Sequence, residues 1–258
     1  MSAAVAQYAA LSRRSLLTMV RQPRAIIPPI LFPLMFMALS SAAFDRTTQL
    51  PGFPESESFL QFLICATIVQ GALFASIAAA SDVAHDIEDG FFDRLIASPV
   101  ARTSILAGRV MGSLVFGFVQ AWFYLVVGSA FGLTVEGGFI GMIGVTLVAA
   151  MFAAGVASLA SAFAIRTGSS EAVLGAFPLL FSLMFISGNF FPRTLMDGWF
   201  KTAATINPLT HMVEGMRAQV IGGLDLGEWL SAFSIALGFF VVGLVLATAA
   251  LRGRLAAN

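Results

Sequence analysis

The stretch FLQFLICATIVQGALFASIAAAS, residues 59–81, contains no charged side chain. A helix rises about 1.5 Å per residue and the hydrocarbon core of a bilayer is about 30 Å thick, so about 20 apolar residues cross it. The stretch is long enough to do so. Because it is apolar on every side, it must face lipid or other helices all round. It predicts a transmembrane helix.

Other parts of the chain have the same length and composition. These stretches cover about 26–44, 110–133, 139–165, 172–191 and 230–251. Of the 258 residues, 58% are hydrophobic and only 11% are charged, which leaves too few polar side chains for a water-facing surface. We therefore predict an all-α, polytopic membrane protein with six transmembrane helices, forming a single domain over 1–258.

The basic residues predict an orientation. With six spans, both termini and the loops 82–109 and 166–171 share one side of the membrane. That side carries ten of the 14 Lys and Arg residues: Arg13, Arg14, Arg21, Arg24, Arg94, Arg102, Arg109, Arg166, Arg252 and Arg254. Basic loops stay in the cytoplasm. We therefore expect a multi-pass protein of the inner (plasma) membrane with cytoplasmic N and C termini.

The first 25 residues lack the short apolar core and small-residue cleavage site of a signal peptide. Within this segment, Tyr8 to Val20 mixes apolar and basic residues. Such a helix suits the membrane surface, where its apolar side rests among the headgroups. We predict an interfacial helix here, with a solvated helix as the alternative.

The loop after the second span changes character along its length. Five acids lie between Asp82 and Asp93, and the segment then turns apolar and basic. Gly90 can end one helix, and residues 91–98 can form a short second one before Pro99 stops it. Such a helix would present Phe91, Leu95 and also Phe92 on one side, with Asp93 and Arg94 on another. The apolar side either meets a protein partner or packs beneath the bundle.

Three ordered motifs resemble one family. They are EDGFFDRL followed by PVAR (88–95 and 99–102), SGNFFP (187–192), and INPLTH followed by EGMR (206–211 and 214–217). The chain resembles the permeases of type-2 ABC exporters (ABC-2 type), and is most similar to their daunorubicin-resistance and nodulation-type branch. The resemblance covers nearly the whole chain.

The resemblance implies a division of labour. Two permeases, identical or related, would work with two copies of a separate ABC ATPase subunit. The segment 90–98 would act as a coupling helix that contacts this subunit. The residues implied in coupling are Glu88, Asp89, Gly90, Phe91, Phe92, Asp93, Arg94, Leu95, Pro99 and Arg102.

The chain has no phosphate-binding loop of its own. A Walker A motif needs a Gly-rich turn before Lys and Ser or Thr, and the single lysine, Lys201, has no such lead. We therefore expect a transport subunit without enzymatic activity that binds no cofactor, while the partner ATPase uses ATP and Mg. The formal net charge of zero argues against a nucleic-acid partner.

The six spans contain no charged residue, which disfavours an ion-coupled secondary transporter. Their Phe- and Met-rich composition suits export of a hydrophobic or amphiphilic substrate, such as a drug-like molecule or a lipid, by alternating access. Polysaccharide or lipid-linked precursors are the alternative cargo. Either contact with cargo or plain helix packing explains the candidate pathway residues: Met35, Phe36, Phe177, Phe181, Met184, Phe185 and Asn189.

The segment 192–228 is too apolar for open water and too interrupted for a span. The Asn207-Pro208 pair divides it, and the resemblance implies short re-entrant helices that cap the outer exit. His211, Glu214 and Arg217 share one helical face. With two histidines in the chain, a local ion pair explains this face better than a metal site.

Overall fold

The computed structural model describes residues 23–92, 94 and 102–257, and every regular element within them is a helix. The all-α prediction is confirmed. The predicted interfacial helix Tyr8 to Val20 lies outside these residues. The α-helices are α1 (Pro23–Phe44), α2 (Phe59–Glu88), α3 (Arg102–Ala130), α4 (Gly138–Thr167), α5 (Ser170–Gly175), α6 (Phe177–Phe185), α7 (Gly198–Ile206), α8 (Pro208–Arg217) and α9 (Leu226–Ala257).

Five helices of the described residues, α1, α2, α3, α4 and α9, are long and apolar enough to cross a membrane. The polytopic architecture is therefore confirmed. Helix α2 shows how such a helix begins: the Ser58 hydroxyl accepts a hydrogen bond from the Gln61 N–H at 3.2 Å. This N-cap satisfies one of the backbone donors that have no partner inside the helix.

The segment predicted as one continuous span over 172–191 differs in the structure. It consists of two short helices, α5 and α6, and the second ends at Phe185. The break falls at Ala176, where Pro178 at the start of α6 supplies no N–H to the preceding turn. Apolar composition alone cannot register this break.

The broken segment still runs from one end of the bundle to the other. Ser170, at the start of α5, contacts the last residue of α2. Gly188, just beyond α6, donates its N–H to the Thr210 hydroxyl at the start of α8. Since α8 packs against the first turns of α2, the two contacts lie at opposite ends of that helix. The broken helix and the turn after it therefore extend along the bundle beside the five long helices.

Helices α2 and α4 form the centre of the bundle. Helix α4 packs against α2, α3 and α9, whereas α1 packs mainly against α2. The crossing of α4 and α9 is close because glycines face each other: a Cβ on Gly243 would lie 2.5 Å from the carbonyl oxygen of Gly155. Small residues of this kind let helix backbones approach in a membrane, where dispersion contacts drive association.

Helix α1 contains Pro28, Pro29 and Pro33, yet it remains helical throughout. Because Pro33 has no N–H, the carbonyl of Pro29 lacks its donor within the helix. The buried hydroxyl of Tyr124 on α3 replaces it, donating to the carbonyl oxygens of Pro29 at 3.2 Å and Ile30 at 2.9 Å. The Tyr124 side chain therefore connects α3 to α1 at the point where the prolines interrupt the hydrogen bonds of α1.

The close crossing of α4 and α9 predicts that alanine substitutions at two glycines of α9 differ in their effect on stability. We expect Gly243→Ala to destabilise the protein by about 1–3 kcal/mol, because the added methyl overlaps α4. No heavy atom lies within 4 Å of a Cβ on Gly238, so Gly238→Ala should keep or slightly raise stability through its better helix propensity. Thermal unfolding in one detergent compares them, and equal midpoints for the two variants would contradict the packing argument.

Candidate functional site

The end of α2 carries the acidic part of the predicted coupling segment. A helix of 30 residues is about 45 Å long, so part of α2 extends beyond a hydrocarbon core of about 30 Å. The helix stops at Gly90, whose φ of +66° is left-handed and whose N–H donates to the Ile87 carbonyl. Glycine adopts this conformation at little cost, so its predicted role as a helix terminator is confirmed.

The two phenylalanines after Gly90 differ in environment. Phe92 is buried against a cluster at this end of the bundle that includes Ile87, Ile165 and Leu251. Phe91 is half-buried and Arg94 is exposed. Phe92 is therefore a packing residue, as in the second of the two explanations considered for these aromatics. Asp93, Leu95 and Pro99, and the side chain of Arg102, lie outside the described part of the chain.

Glu88 connects this segment to the broken helix. Its Oε1 accepts hydrogen bonds from the backbone N–H of Ser170 at 2.7 Å and from the Ser170 hydroxyl at 3.0 Å. Its Oε2 lies 3.0 Å from Nδ1 of His85. A carboxylate is favourable at a helix N-terminus, where backbone N–H groups are unpaired, and Ser170 begins α5. The two loops of this end are thus directly joined.

A second ion pair joins the same end of α2 to α3. The Arg109 guanidinium lies 2.9 Å from the Asp86 carboxylate, with both side chains partly buried. Exposed His85 and Asp89 flank these contacts. Sequence reasoning identified the acids of this loop but missed Ser170 and Arg109 as their partners. The Gly168-Ser169 pair before α5 was the available signal, because Gly ends helices and Ser begins them.

The aromatic candidates form a continuous row. Ring centroids lie 5.4 Å apart for Phe177 and Phe181, 5.0 Å for Phe181 and Phe185, 4.7 Å for Phe185 and Phe190, and 5.1 Å for Phe190 and Phe36. These are ordinary aromatic contact distances. The row therefore brings α1 and α6 together within one chain, and it is completed by Phe190, which belongs to the SGNFFP motif but was not among the predicted pathway residues.

The other pathway candidates divide into exposed and buried residues. Met35 is 53% exposed and Phe185 is 39% exposed, so both reach the surface of the bundle. Met184 and Asn189 are fully buried, which separates them from any surface groove. The Asn189 side chain makes no hydrogen bond to the residues that the structure describes.

The opposite end of the bundle is closed by α7 and α8. The predicted break at Asn207-Pro208 is confirmed, since α7 ends at Ile206 and α8 begins at Pro208. Glu214 forms a two-pronged ion pair with Arg193, with N–O distances of 2.7 and 2.6 Å. Within the described residues, no three His, Cys, Asp or Glu side chains gather to hold a metal ion. The ion pair expected within this face differs in the structure, because Glu214 pairs with Arg193 while His211 and Arg217 contact backbone carbonyls.

Arg217 holds this end together. Its Nε donates to the Phe62 carbonyl at 3.0 Å, and its Nη2 donates to the carbonyls of Gly188 and Asn189 at 3.3 and 3.1 Å. The guanidinium lies 3.7 Å from the centre of the Phe62 ring, a cation–π contact. It belongs to α8, which is not a spanning helix. Burial lowers the pKa of Arg217 to about 10, so it stays cationic at neutral pH.

Long apolar helices, a discontinuous helix anchored at both ends, and short helices closing one end are features of a membrane transport protein. Comparison of the sequence with known protein families leads to the same class of protein. The model of the ABC-2 type transporter family matches residues 6–221, so the chain belongs to this family.

Individual relatives carry related names. The chain is 28% identical to the daunorubicin resistance ABC transporter permease protein DrrB1 of Streptomyces coeruleorubidus, over 87% of this chain and 72% of that protein. It is 22% identical to the probable doxorubicin resistance ABC transporter permease protein DrrC of Mycobacterium tuberculosis, over 92% and 85%. It is 26% identical to the putative transport permease ycf38 of Cyanophora paradoxa, over 92% and 83%.

The contact between Glu88 and Ser170 predicts that the Ser170 amide is protected from hydrogen exchange. We expect Glu88→Ala to speed hydrogen exchange of the Ser170 amide several-fold, because the amide loses its carboxylate acceptor. Asp89→Ala, which removes the exposed neighbouring acid, is the matched control and should leave that exchange unchanged. Mass spectrometry of a peptide covering 168–173 measures both, and equal rates in the two variants would contradict the contact.

Proposed function

We propose that the chain is the membrane-spanning permease subunit of an ATP-driven exporter that moves a hydrophobic or amphiphilic substrate out of the cytoplasm. The family match over residues 6–221 carries this proposal. Two relatives are named as permeases of ABC transporters for daunorubicin or doxorubicin resistance. The bundle fits such a role, because a row of aromatic rings extends between α1 and the broken helix.

A separate ABC ATPase supplies the energy, as the family implies. In the working assembly, two permeases, identical or related, act with two ATPase subunits that bind ATP and Mg. The segment that begins at Glu88 and extends to Arg102 contacts the ATPase. This loop lies in the cytoplasm of a cell whose inner (plasma) membrane holds the chain, and both termini share that side, in agreement with the excess of arginines there.

Glu88 transmits movement from the coupling segment to the transport pathway. It is the last residue of α2, two residues before Gly90, and its carboxylate binds the first residue of α5. Since α5 continues into α6 after the break at Ala176, a displacement of the coupling segment reaches the aromatic row by a short path. The break lets α6 change its tilt without displacing the whole segment.

The aromatic row receives the cargo. Planar amphiphilic molecules stack on aromatic side chains. The names of two relatives refer to resistance to daunorubicin or doxorubicin. Phe185 is partly exposed on the bundle surface and its ring contacts those of both Phe181 and Phe190. Met35 extends the same apolar surface on α1. Alternating access then consists of α1 and α6 of two permeases separating at one end and closing at the other.

The coupling segment is tested by changing its apolar side. In vesicles that contain this chain and its ATPase, we expect Phe91→Glu with Leu95→Glu to reduce transport at least tenfold, because two carboxylates oppose burial in a protein groove. Membrane insertion should be unaffected. Phe131→Glu is the control, because Phe131 is 80% exposed at the opposite end of the bundle.

Two results would contradict this assignment. One is normal transport by the double variant, and the other is ATP turnover by the isolated chain without its ATPase.

The cargo site is tested in the same vesicles. We expect Phe181→Ala and Phe185→Ala to raise the KM for an aromatic amphiphilic drug about two- to tenfold, because each removes one stacking surface. Phe163→Ala is the control, since Phe163 is an exposed phenylalanine of α4 outside the row. An unchanged KM in both row variants, with the control also unchanged, would exclude the row as the cargo site.

A further inference from the structure

A cavity of about 500 Å³ opens beside α7 and α8, at the end of the bundle remote from the coupling segment. It is distinct from the aromatic row, whose rings do not line it. Its charged lining residues are Arg193, Lys201, Glu214 and Arg217. Pro54 and Ile221 add apolar surface. The volume is typical of cavities that bind small molecules or headgroups.

The charges around this cavity are not balanced. Three cations face it with one carboxylate, and that carboxylate, Glu214, is already paired with Arg193 through two short hydrogen bonds. Lys201 and Arg217 form no ion pair with any carboxylate of the described residues. Three cations against one carboxylate leave an excess of positive charge beside the cavity, and the resulting positive potential favours an anion.

Arg217 is held in position to meet that anion. It is only 6% exposed, and backbone carbonyls fix its Nε and Nη2. Within the part of the chain that the structure describes, its Nη1 donates no hydrogen bond, although the residue lines the cavity. A buried guanidinium with unused N–H donors is a strong oxyanion binder, because little side-chain entropy remains to be lost.

Helix α7, which supplies Lys201 to the cavity, has an apolar outer face. Trp199 and Ile206 are 74% and 75% exposed, and their spacing of seven residues puts them on one face of the helix. Lys201 lies on the other side and lines the cavity. An apolar face with an exposed tryptophan is typical of a helix that rests in the membrane interface.

We propose that this cavity binds the phosphate group of an anionic membrane phospholipid, held between Lys201 and Arg217. With the orientation proposed above, the lipid belongs to the outer leaflet. Free phosphate has the same oxyanion chemistry and is the other source to distinguish. The site does not depend on ATPase coupling, so a chain that failed the coupling experiment would still bind this lipid.

The experiment measures the thermal unfolding midpoint of the full-length chain in a non-ionic detergent. Separate titrations use short-chain phosphatidylglycerol, short-chain phosphatidylcholine and inorganic phosphate. We expect phosphatidylglycerol to raise the midpoint in a saturable manner and phosphatidylcholine to have little effect. In Lys201→Gln, about tenfold more phosphatidylglycerol should be needed, because one charge-assisted hydrogen bond is lost.

Two variants make the result specific. Lys201→Arg keeps the charge and should bind as the unmodified chain does. Arg46→Gln removes an exposed cation at the same end that does not line the cavity, and should also leave binding unchanged. Unchanged midpoints without lipid show that the variants are folded.

Three outcomes would overturn the proposal. They are equal responses to phosphatidylglycerol and phosphatidylcholine, equal affinity in Lys201→Gln and the unmodified chain, and an equal loss in Arg46→Gln. A response to inorganic phosphate that matches the lipid in affinity and depends on Lys201 would support the oxyanion site and overturn the lipid as its source.

Discussion

Hydrocarbon offers no hydrogen bonds to a polypeptide backbone, so this protein has to pair its own N–H and C=O groups wherever it crosses the membrane. Continuous helices do this by themselves. At two of the interruptions a side chain from elsewhere supplies a hydrogen-bond partner. Tyr124 donates to the carbonyl that Pro33 leaves unpaired in α1, and Thr210 and Arg217 bind the backbone of the turn after α6.

The broken helix formed by α5 and α6 shows what these side-chain hydrogen bonds to the backbone allow. Its start is bound by the Glu88 carboxylate at one end of the bundle, and the turn that follows it is bound by Arg217 at the other. Between these anchors, Phe177 and Phe181 pack against Phe74 of α2. A segment fixed at both ends and broken at Ala176 is suited to move during a transport cycle while its backbone stays paired.

Much of the architecture could be predicted from the sequence because apolar length is a local property. The run 59–81 lies within α2, and Gly90 ends that helix as expected. The prediction for 172–191 was wrong about continuity, because a hydropathy average does not register the missing N–H of Pro178. For Phe91 and Phe92, helical spacing alone could not separate a partner-facing side chain from a packed one. Burial against three other helices decided this for Phe92.

The sequence by itself determined that this is an all-helical membrane protein, where its long helices lie, that it has no phosphate-binding loop, and which family its motifs resemble. Only the tertiary structure decided the pairs Tyr124 with Pro29, Glu88 with Ser170, and Arg217 with Phe62. The physical reason is separation along the chain. Each pair satisfies a backbone group with a side chain that lies about 80 or more residues away, and no local pattern records which distant residue that is.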